Sequence, residues 1–421
     1  MTNVLDELRW RGLLGQSTDE EALHGALAQP LTFYAGFDPT APSLHIGHLV
    51  QLLVARRLQR AGHHPLLLVG GATGLIGDPK PTSERQLNDA DVVAGWVERL
   101  RGQIAPYVDL DGPAAGRLVN NLDWTSQMSA VDLLRDVGRH FRVGRMLAKE
   151  AVAARMASDE GIGFAEFSYQ VLQANDYLEL HRRYGCTLQF GGSDQWGNIT
   201  AGVDLVHRVA RTPVHGFTVP LLTKADGTKF GKTETGTVWV DPALTSPYAF
   251  HQFWLRSDDA SVGRYLRVVT DRGPEEIAEL ERATEERPGA REAQRALAHD
   301  VTALVHGEAA VVAAEAAAAA LFGRGELASL DETTLRAALA ELPQVSVGEG
   351  ARTVVELLAA SGLSPSRSAA RRAVADGGAY VNNAAVADGD AELDPGQLLH
   401  GRWAVLRRGK RTLAAVDAAP R

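Results

Sequence analysis

The sequence predicts an α/β protein. Its core is a doubly wound, Rossmann-type parallel sheet broken by a helical insertion; an α-helical domain and a small C-terminal α/β module follow. Three observations predict this. Strand-like and helix-like segments alternate over the first 125 residues. A helical run over about 130–183 interrupts them before the alternation resumes. The last seventy or so residues break into short elements, with turn signals at DGGAYVNN and ADGD. Alternating strands and helices pack as a parallel sheet with helices on its faces.

Each element follows from its residues. MTNVLDELRWRGLL has the pattern of an amphipathic helix rather than a charged-then-apolar leader. LTFYAGF (Leu31 to Phe37) is rich in β-formers and stops at Asp38-Pro39, so it reads as a strand. IGHLVQLLVARRLQRAG has helical periodicity and stops at Gly62. PLLLVGGATGLIGDP reads as a buried strand entering a Gly-rich loop. DVVAGWVERLRGQIAPYVDL then reads as a helix and GRLVNNLDW as a strand. FAEFSYQVLQANDYLELHRRYG belongs to the helical insertion, CTLQFGG is the next strand, and SDQWGNITAGVDLVHRVA follows as a helix. FTVPLLTK closes the sheet.

The expected organisation is a catalytic domain over 1–223, a loop region over 224–245, a helical domain over 246–322, a linker over 323–350 and a terminal module over 351–421. AAVVAAEAAAAALFG is Ala-rich and reads as a good helix former. The linker reading rests on few periodic apolar residues.

Composition excludes some classes. At 45% hydrophobic and 23% charged residues, the chain is that of a soluble globular protein. No apolar run is long enough to cross a bilayer, so a cytoplasmic location is expected and no membrane partner. Cys186 is the single cysteine, which leaves no intrachain disulfide and no multi-cysteine metal site. Residues 351–421 hold ten Lys+Arg against seven Asp+Glu; this local +3 leaves −12 for the rest of a chain whose total is −9. A basic terminal module points to a polyanion.

Two motifs carry chemistry. HIGH, His45 to His48, follows the first strand. Histidines three apart could bind a metal, but a third ligand is wanting nearby, so no metal site is expected. They could also be solvated or capping residues. Their place, at the first strand-to-helix turn of a doubly wound sheet, is where nucleotides bind. The helix N-terminus suits phosphate, and Gly47 lets a flat ring approach. KFGKT, Lys229 to Thr233, lies in a loop after the last strand. Alone it reads as an exposed basic loop; its two ammonium groups could instead neutralise a leaving pyrophosphate.

Together these motifs resemble the class I aminoacyl-tRNA synthetases. YAGFDPTAPSLHIGH, GDP, YQVLQANDY, LQFGGSDQWGN and KFGKT fall in the order and spacing of the bacterial tyrosyl-tRNA synthetases. SRSAARRAVADGGAYVNN is similar to their S4-type RNA-binding module. The resemblance spans nearly the whole chain. It implies activation of L-tyrosine by ATP, with Mg2+ accompanying the nucleotide, and transfer to tRNA(Tyr). It implies a homodimer joined through the helical insertion, and a helical domain directed to the anticodon region.

The resemblance also implies roles. Thr40 and His45 would contact the γ-phosphate side; His48 and Gly47 would lie by ribose and adenine. Lys229, Lys232 and Thr233 would act on the pyrophosphate, with Arg85 from the loop GDPKPTSER. That loop departs from the family pattern in length, and Lys80 is its candidate lysine. Asp194, near Gly192, would hold the ribose hydroxyls. Asp38 and Gln195 would position the amino acid and α-phosphate, Gly36 would contact ATP, and Ala35 would lie beside the ribose as a variable position with no polar contact. Tyr34 and Asp176 would hydrogen-bond the substrate hydroxyl. Tyr169, Gln173 and Asp78 would hold the ammonium, with Gln189 in support. Tyr169, Gln173 and Asp176 share a helix face by their spacing of four and three; by periodicity alone that stripe is a solvated face. Arg367, Arg371 and Arg372 would meet RNA phosphates.

Three alternatives remain at this level. A tryptophan-charging relative shares the fold and both motifs, but Tyr34/Asp176 and the S4-like tail argue against it. A nucleotidyltransferase would not need YQVLQAND. A degenerate RNA-binding relative predicts damaged motifs, and these are intact.

Overall fold

The computed structural model describes residues 3–79, 87–159, 161–223, 227–228, 230–233, 236–347 and 353–418. Two compact units emerge, one of residues 1–241 with 260–279, the other of 242–259 with 280–421.

The first unit is built on five parallel strands: β1 (Thr32–Phe37), β2 (His64–Val69), β3 (Arg117–Asn120), β4 (Cys186–Gly192) and β5 (His215–Val219). Their order is β3-β2-β1-β4-β5. A parallel sheet is covered on both faces, which explains strands of near-continuous apolar residues. Phe33, Tyr34, Ala35 and Phe37 of β1 are all buried, as are Leu66 to Val69 of β2. The connecting helices are α1 (Ile46–Arg60), α2 (Ala90–Ile104), α3 (Phe164–Tyr184) and α4 (Trp196–Ala210). The chain leaves β1 toward β2 and β3, then returns on the other side as β4. That reversal opens a crevice beyond the carboxyl ends of β1 and β4, the position where such sheets bind ligands.

The insertion is less regular than its sequence suggests. Residues 130–156 form short turns, including a π-turn at Leu133–Val137 and helices at Val143–Leu147 and Glu150–Met156. Only α3 is long. Arg155 and Glu166 form a buried ion pair at 3.1 Å across the gap before α3. Val131, Leu134, Val143 and Phe164 stay 60–78% exposed on this region.

After β5 a two-stranded hairpin, β6 (Lys232–Thr233) and β7 (Gly236–Thr237), lies beside the start of α1. The Val240 amide donates to the Leu44 carbonyl at 2.9 Å, and Trp239 bridges to His45. Helix α5 (Asp259–Val269) was expected in a separate helical domain; residues 260–279 instead fold with the first unit. The reason is a pair of buried arginines. Arg11 donates to the carbonyls of Arg267 and Thr270, and Arg57 to that of Thr270 at 2.7 Å.

The second unit holds helices Pro247–Leu255 and Glu292–His306, then α6 (Glu308–Leu321) and α7 (Glu332–Ala340). Its sheet runs β10-β9-β11-β12-β8, with β8 (Gln344–Ser346), β9 (Ala379–Val381), β10 (Ala384–Ala385), β11 (Trp403–Arg408) and β12 (Thr412–Asp417). Helices α8 (Val354–Ala360) and α9 (Arg367–Ala375) cover it; Val355, Leu358 and Ala370 share a core with Ala404, Leu406 and Val416. The linker expected over 323–350 is therefore corrected. Its described part contains α7 and β8, and Leu327, Leu330, Leu335 and Leu339 are buried with Trp403 and Leu413. Their helical partners are Ala314, Ala317 and Ala320 of α6. Small residues allow close helix approach, so four leucines suffice for a core that periodicity alone does not announce.

Among the described residues, no helix is long and apolar enough to cross a membrane.

Candidate active site

At the amino end of α1, His45 is the N-cap. Its Nδ1 accepts from the Gly47 amide at 3.1 Å, while His48 Nδ1 accepts from the His45 amide at 3.3 Å. The two rings stack at 3.9 Å. The capping reading and the phosphate reading are thus compatible. Each ring accepts at Nδ1, so when neutral it carries its proton on Nε2 and keeps that atom as a donor. Burial, then the neighbouring His45, pushes His48 well below the usual histidine range, so its ring is neutral at pH 7. Thr40 and Gly36 are exposed at the same edge.

The opposite end of the crevice is buried. Tyr34 is 1% exposed, and its hydroxyl has no partner within the described chain. The side-chain carbonyls of Gln173 and Gln189 are likewise buried without partners. Asp176 is 2% exposed. Trp124 Nε1 donates to one of its oxygens at 2.8 Å and Asn121 Nδ2 to the other at 3.0 Å. Burial pushes the Asp176 carboxyl up to about 7 against the lowering effect of those two donors. Tyr34 is raised well above the usual phenol range, by burial first and the Asp176 charge second.

A chain of hydrogen bonds joins this end to Asp38. Asn121 Nδ2 also donates to the Thr73 hydroxyl at 2.9 Å, and Thr73 donates to Asp38 at 2.7 Å. The Tyr169 hydroxyl donates to the other Asp38 oxygen at 2.6 Å. Gly70 makes room for the junction; a Cβ there would collide with the Asp38 carboxylate and the Thr73 hydroxyl. The structure thus places Asp38 with Tyr169. Sequence reading missed Thr73, Asn121 and Trp124. NN and W close the segment taken as a strand, but no local pattern shows that they meet Asp176.

Asp78 anchors a second cluster. Gln195 Nε2 donates to it at 2.9 Å and Asn198 Nδ2 at 3.3 Å, and Lys149 Nζ lies 3.5 Å away. Lys149 also donates to Asn198 at 2.7 Å. The Asp78 charge helps raise the Tyr169 phenol, so the two clusters adjoin. Beyond Lys149 lies a cavity of about 420 Å³ lined by Arg142, Arg145, Gln170 and Arg208. Asp194 is exposed just past the end of β4, beside Gly192.

Lys80, Arg85 and Lys229 lie outside the described residues, and only the backbone of Lys232 and Thr233 is described. Just before Lys232, Gly231 takes φ +90° and faces Ile46 of α1. This left-handed conformation suits glycine. In the second unit Arg367, Arg371 and Arg372 are all exposed on α9. Arg367 pairs with Glu356 at 3.2 Å and Arg371 with Asp390 at 3.0 Å. Among the described residues, no group of three or more His, Cys, Asp or Glu is placed to hold a metal ion.

Residues 27–323 match the family model for tRNA synthetases class I (W and Y). Residues 334–416 match that for a tyrosine–tRNA ligase C-terminal domain. A tyrosine–tRNA ligase of Kineococcus radiotolerans is 64% identical over 99% of both chains. The chain belongs to the tyrosine–tRNA ligase family of class I synthetases. The corresponding enzyme of Streptomyces griseus is 62% identical over the whole of both chains. Among solved structures, a C-terminally truncated mitochondrial tyrosyl-tRNA synthetase of Aspergillus nidulans superposes with TM-score 0.68 at 31% identity. It covers 75% of this synthetase and 92% of its own chain. The C-terminal match opens within α7, which agrees with the folded state of the segment expected as a linker.

Proposed function

We infer that this synthetase ligates L-tyrosine to tRNA(Tyr) in two steps. The tyrosine carboxylate attacks the α-phosphorus of ATP, forming a carboxyl-to-phosphorus bond and releasing pyrophosphate. The tyrosyl group then passes to the terminal adenosine of the tRNA, releasing AMP. The first step needs alignment and charge neutralisation rather than a protein nucleophile.

The observation that carries the reading is the Asp176 carboxylate. Both of its oxygens already accept from fixed donors, which orients it as an acceptor, and its charge acts on the Tyr34 phenol. A substrate phenol can donate to it and accept from the orphaned Tyr34 hydroxyl. A bare phenyl ring leaves the buried Tyr34 hydroxyl unpaired and offers the Asp176 carboxylate no third donor, which is costly. An indole has no hydroxyl to place between them, which disfavours tryptophan.

Around that anchor, Tyr169, Gln173 and Asp78 take the ammonium, supported by Gln189. Asp38 and Gln195 align the carboxylate with the α-phosphate beside Gly36. Thr40 and His45 face the γ-phosphate. His48 and Gly47 line ribose and adenine, while Asp194 and Gly192 receive the ribose hydroxyls. Lys229, Lys232, Thr233 and Arg85 take up the charge on pyrophosphate. Mg2+ enters with the nucleotide phosphates, as part of that substrate. Arg367, Arg371 and Arg372 serve tRNA phosphates once their surface ion pairs yield, pairs worth little in water. The exposed Val131, Leu134, Val143 and Phe164 suit burial against a second copy of the chain, giving a homodimer in the cytoplasm.

The test is pyrophosphate exchange into ATP, run with each of the twenty amino acids and no tRNA. Exchange with tyrosine alone is expected. Exchange with tryptophan instead would overturn the roles of Tyr34 and Asp176, and none with any amino acid would remove the activation step.

A further inference from the structure

The segment after β5 and the helix that opens with the histidine turn are far apart in sequence, yet both contact helix α5 or the residues just after it. Tyr265, in the middle of α5, is 1% exposed. Its hydroxyl donates to the Thr223 carbonyl at 3.0 Å, and Arg264 donates to the same carbonyl. The Tyr265 ring lies 4.2 Å from the Phe230 ring, centroid to centroid. The Phe230 amide donates to the Leu222 carbonyl at 2.9 Å. Both sides of the 222–230 segment therefore meet at one phenol. In sequence Phe230 stands directly after Lys229 and two residues before Lys232.

The carboxyl end of α5 is fixed to the helix that carries the histidines. Arg57 of α1 donates to the Thr270 carbonyl at 2.7 Å, and Arg60 pairs with Asp271 at 2.9 Å. A helix is stiff over this length, so the position of Phe230 is referenced to α1 through Tyr265. We propose that Tyr265 is a positioning residue for adenylate formation. It holds Phe230, which in sequence stands between Lys229 and Lys232, in register with the helix that opens at His45 and His48. Tyr265 touches neither substrate. It acts through Lys229 and Lys232, so the inference rests on the assignment of those lysines to pyrophosphate.

The test uses the full-length enzyme, with tyrosine-dependent exchange at varied ATP and tyrosine binding measured separately. Tyr265→Leu is expected to lower kcat/KM for ATP by about tenfold while the tyrosine Kd stays put. Tyr265→Phe keeps the ring under Phe230 and is expected to recover most of the loss. In a Lys232→Ala background, Tyr265→Leu should add less than about twofold, because the two changes remove one function. If Tyr265→Leu does not fold, Phe230→Leu removes the same contact from the loop side and should give the same split. A full additional loss in the Lys232→Ala background would overturn the proposal, as would a tyrosine Kd that moves in step with kcat/KM. If Lys232→Ala itself leaves exchange unchanged, the assignment of the lysine fails, and the role of Tyr265 with it.

Discussion

The two ends of the crevice are built on opposite plans. At the phenol end Tyr34, Asp176 and Gln189 are 1–2% exposed, and Asp176 is clamped by donors from Asn121 and Trp124. At the phosphate end Thr40, Gly36 and Asp194 are exposed, and the histidines present donors at a helix terminus. The difference fits the roles proposed for the two ends. Discriminating one hydroxyl requires dry groups that suffer when left unpaired. Handling a triphosphate requires accessible donors and cations that respond to charge as it develops. On the proposed assignment, one end sets which amino acid enters and the other sets how fast it reacts.

Substitutions can break this division, and the largest effect is expected at the phosphate end. Lys232→Ala should lower kcat for exchange by about a hundredfold with the tyrosine KM nearly unchanged, read from steady-state kinetics. A comparable rise in the tyrosine KM would blur the two ends into one. Asn121→Ala removes a donor from both Asp176 and Thr73. It should narrow the tyrosine-to-phenylalanine ratio of kcat/KM by about tenfold, with ATP kinetics little affected. Tyr34→Phe should narrow the same ratio by a few-fold. It should also raise the Tm of the ligand-free enzyme, because it deletes a buried hydroxyl that has no partner; a drop in Tm would contradict the orphaned state.

The smallest effect is a pH trend. The folded Asp176 carboxyl, pushed up to about 7, stands above its unfolded value near 3.8. Between those values the folded state binds more protons than the unfolded one. The stability from this group is full below about 4 and is lost as pH rises through 7. Thermal melts of the ligand-free enzyme should show this decline between about pH 4 and 7, and Asp176→Asn should flatten that component.

Much of this was legible in the sequence, for physical reasons. The parallel sheet showed because strands and helices alternate along the chain and buried strands need near-continuous apolar residues, as in PLLLV. Helical spacing put Tyr169, Gln173 and Asp176 on one face but by itself read that face as solvated, whereas Tyr169 and Asp176 are 5% and 2% exposed. What supports Asp176 was not legible. Asn121 and Trp124 reach it from 55 and 52 residues away, a distance that only the folded sheet closes. The segment at 323–350 was misread because its leucines pack on alanines, whose small side chains give little periodic signal. The place of α5 was hidden likewise: Arg11 and Arg57 look like surface charges in sequence, yet they are 6% and 5% exposed and hold backbone carbonyls.

The most direct test of the central claim, that Asp176 reads the substrate hydroxyl, compares kcat/KM for tyrosine and phenylalanine in the wild type and in Asp176→Ala. The variant is expected to lose nearly all preference for tyrosine while its KM for ATP stays within about twofold, since the phosphate end is left intact. A variant that still prefers tyrosine by the wild-type margin would show that the hydroxyl is read elsewhere, and the division between the two ends of the crevice would fall.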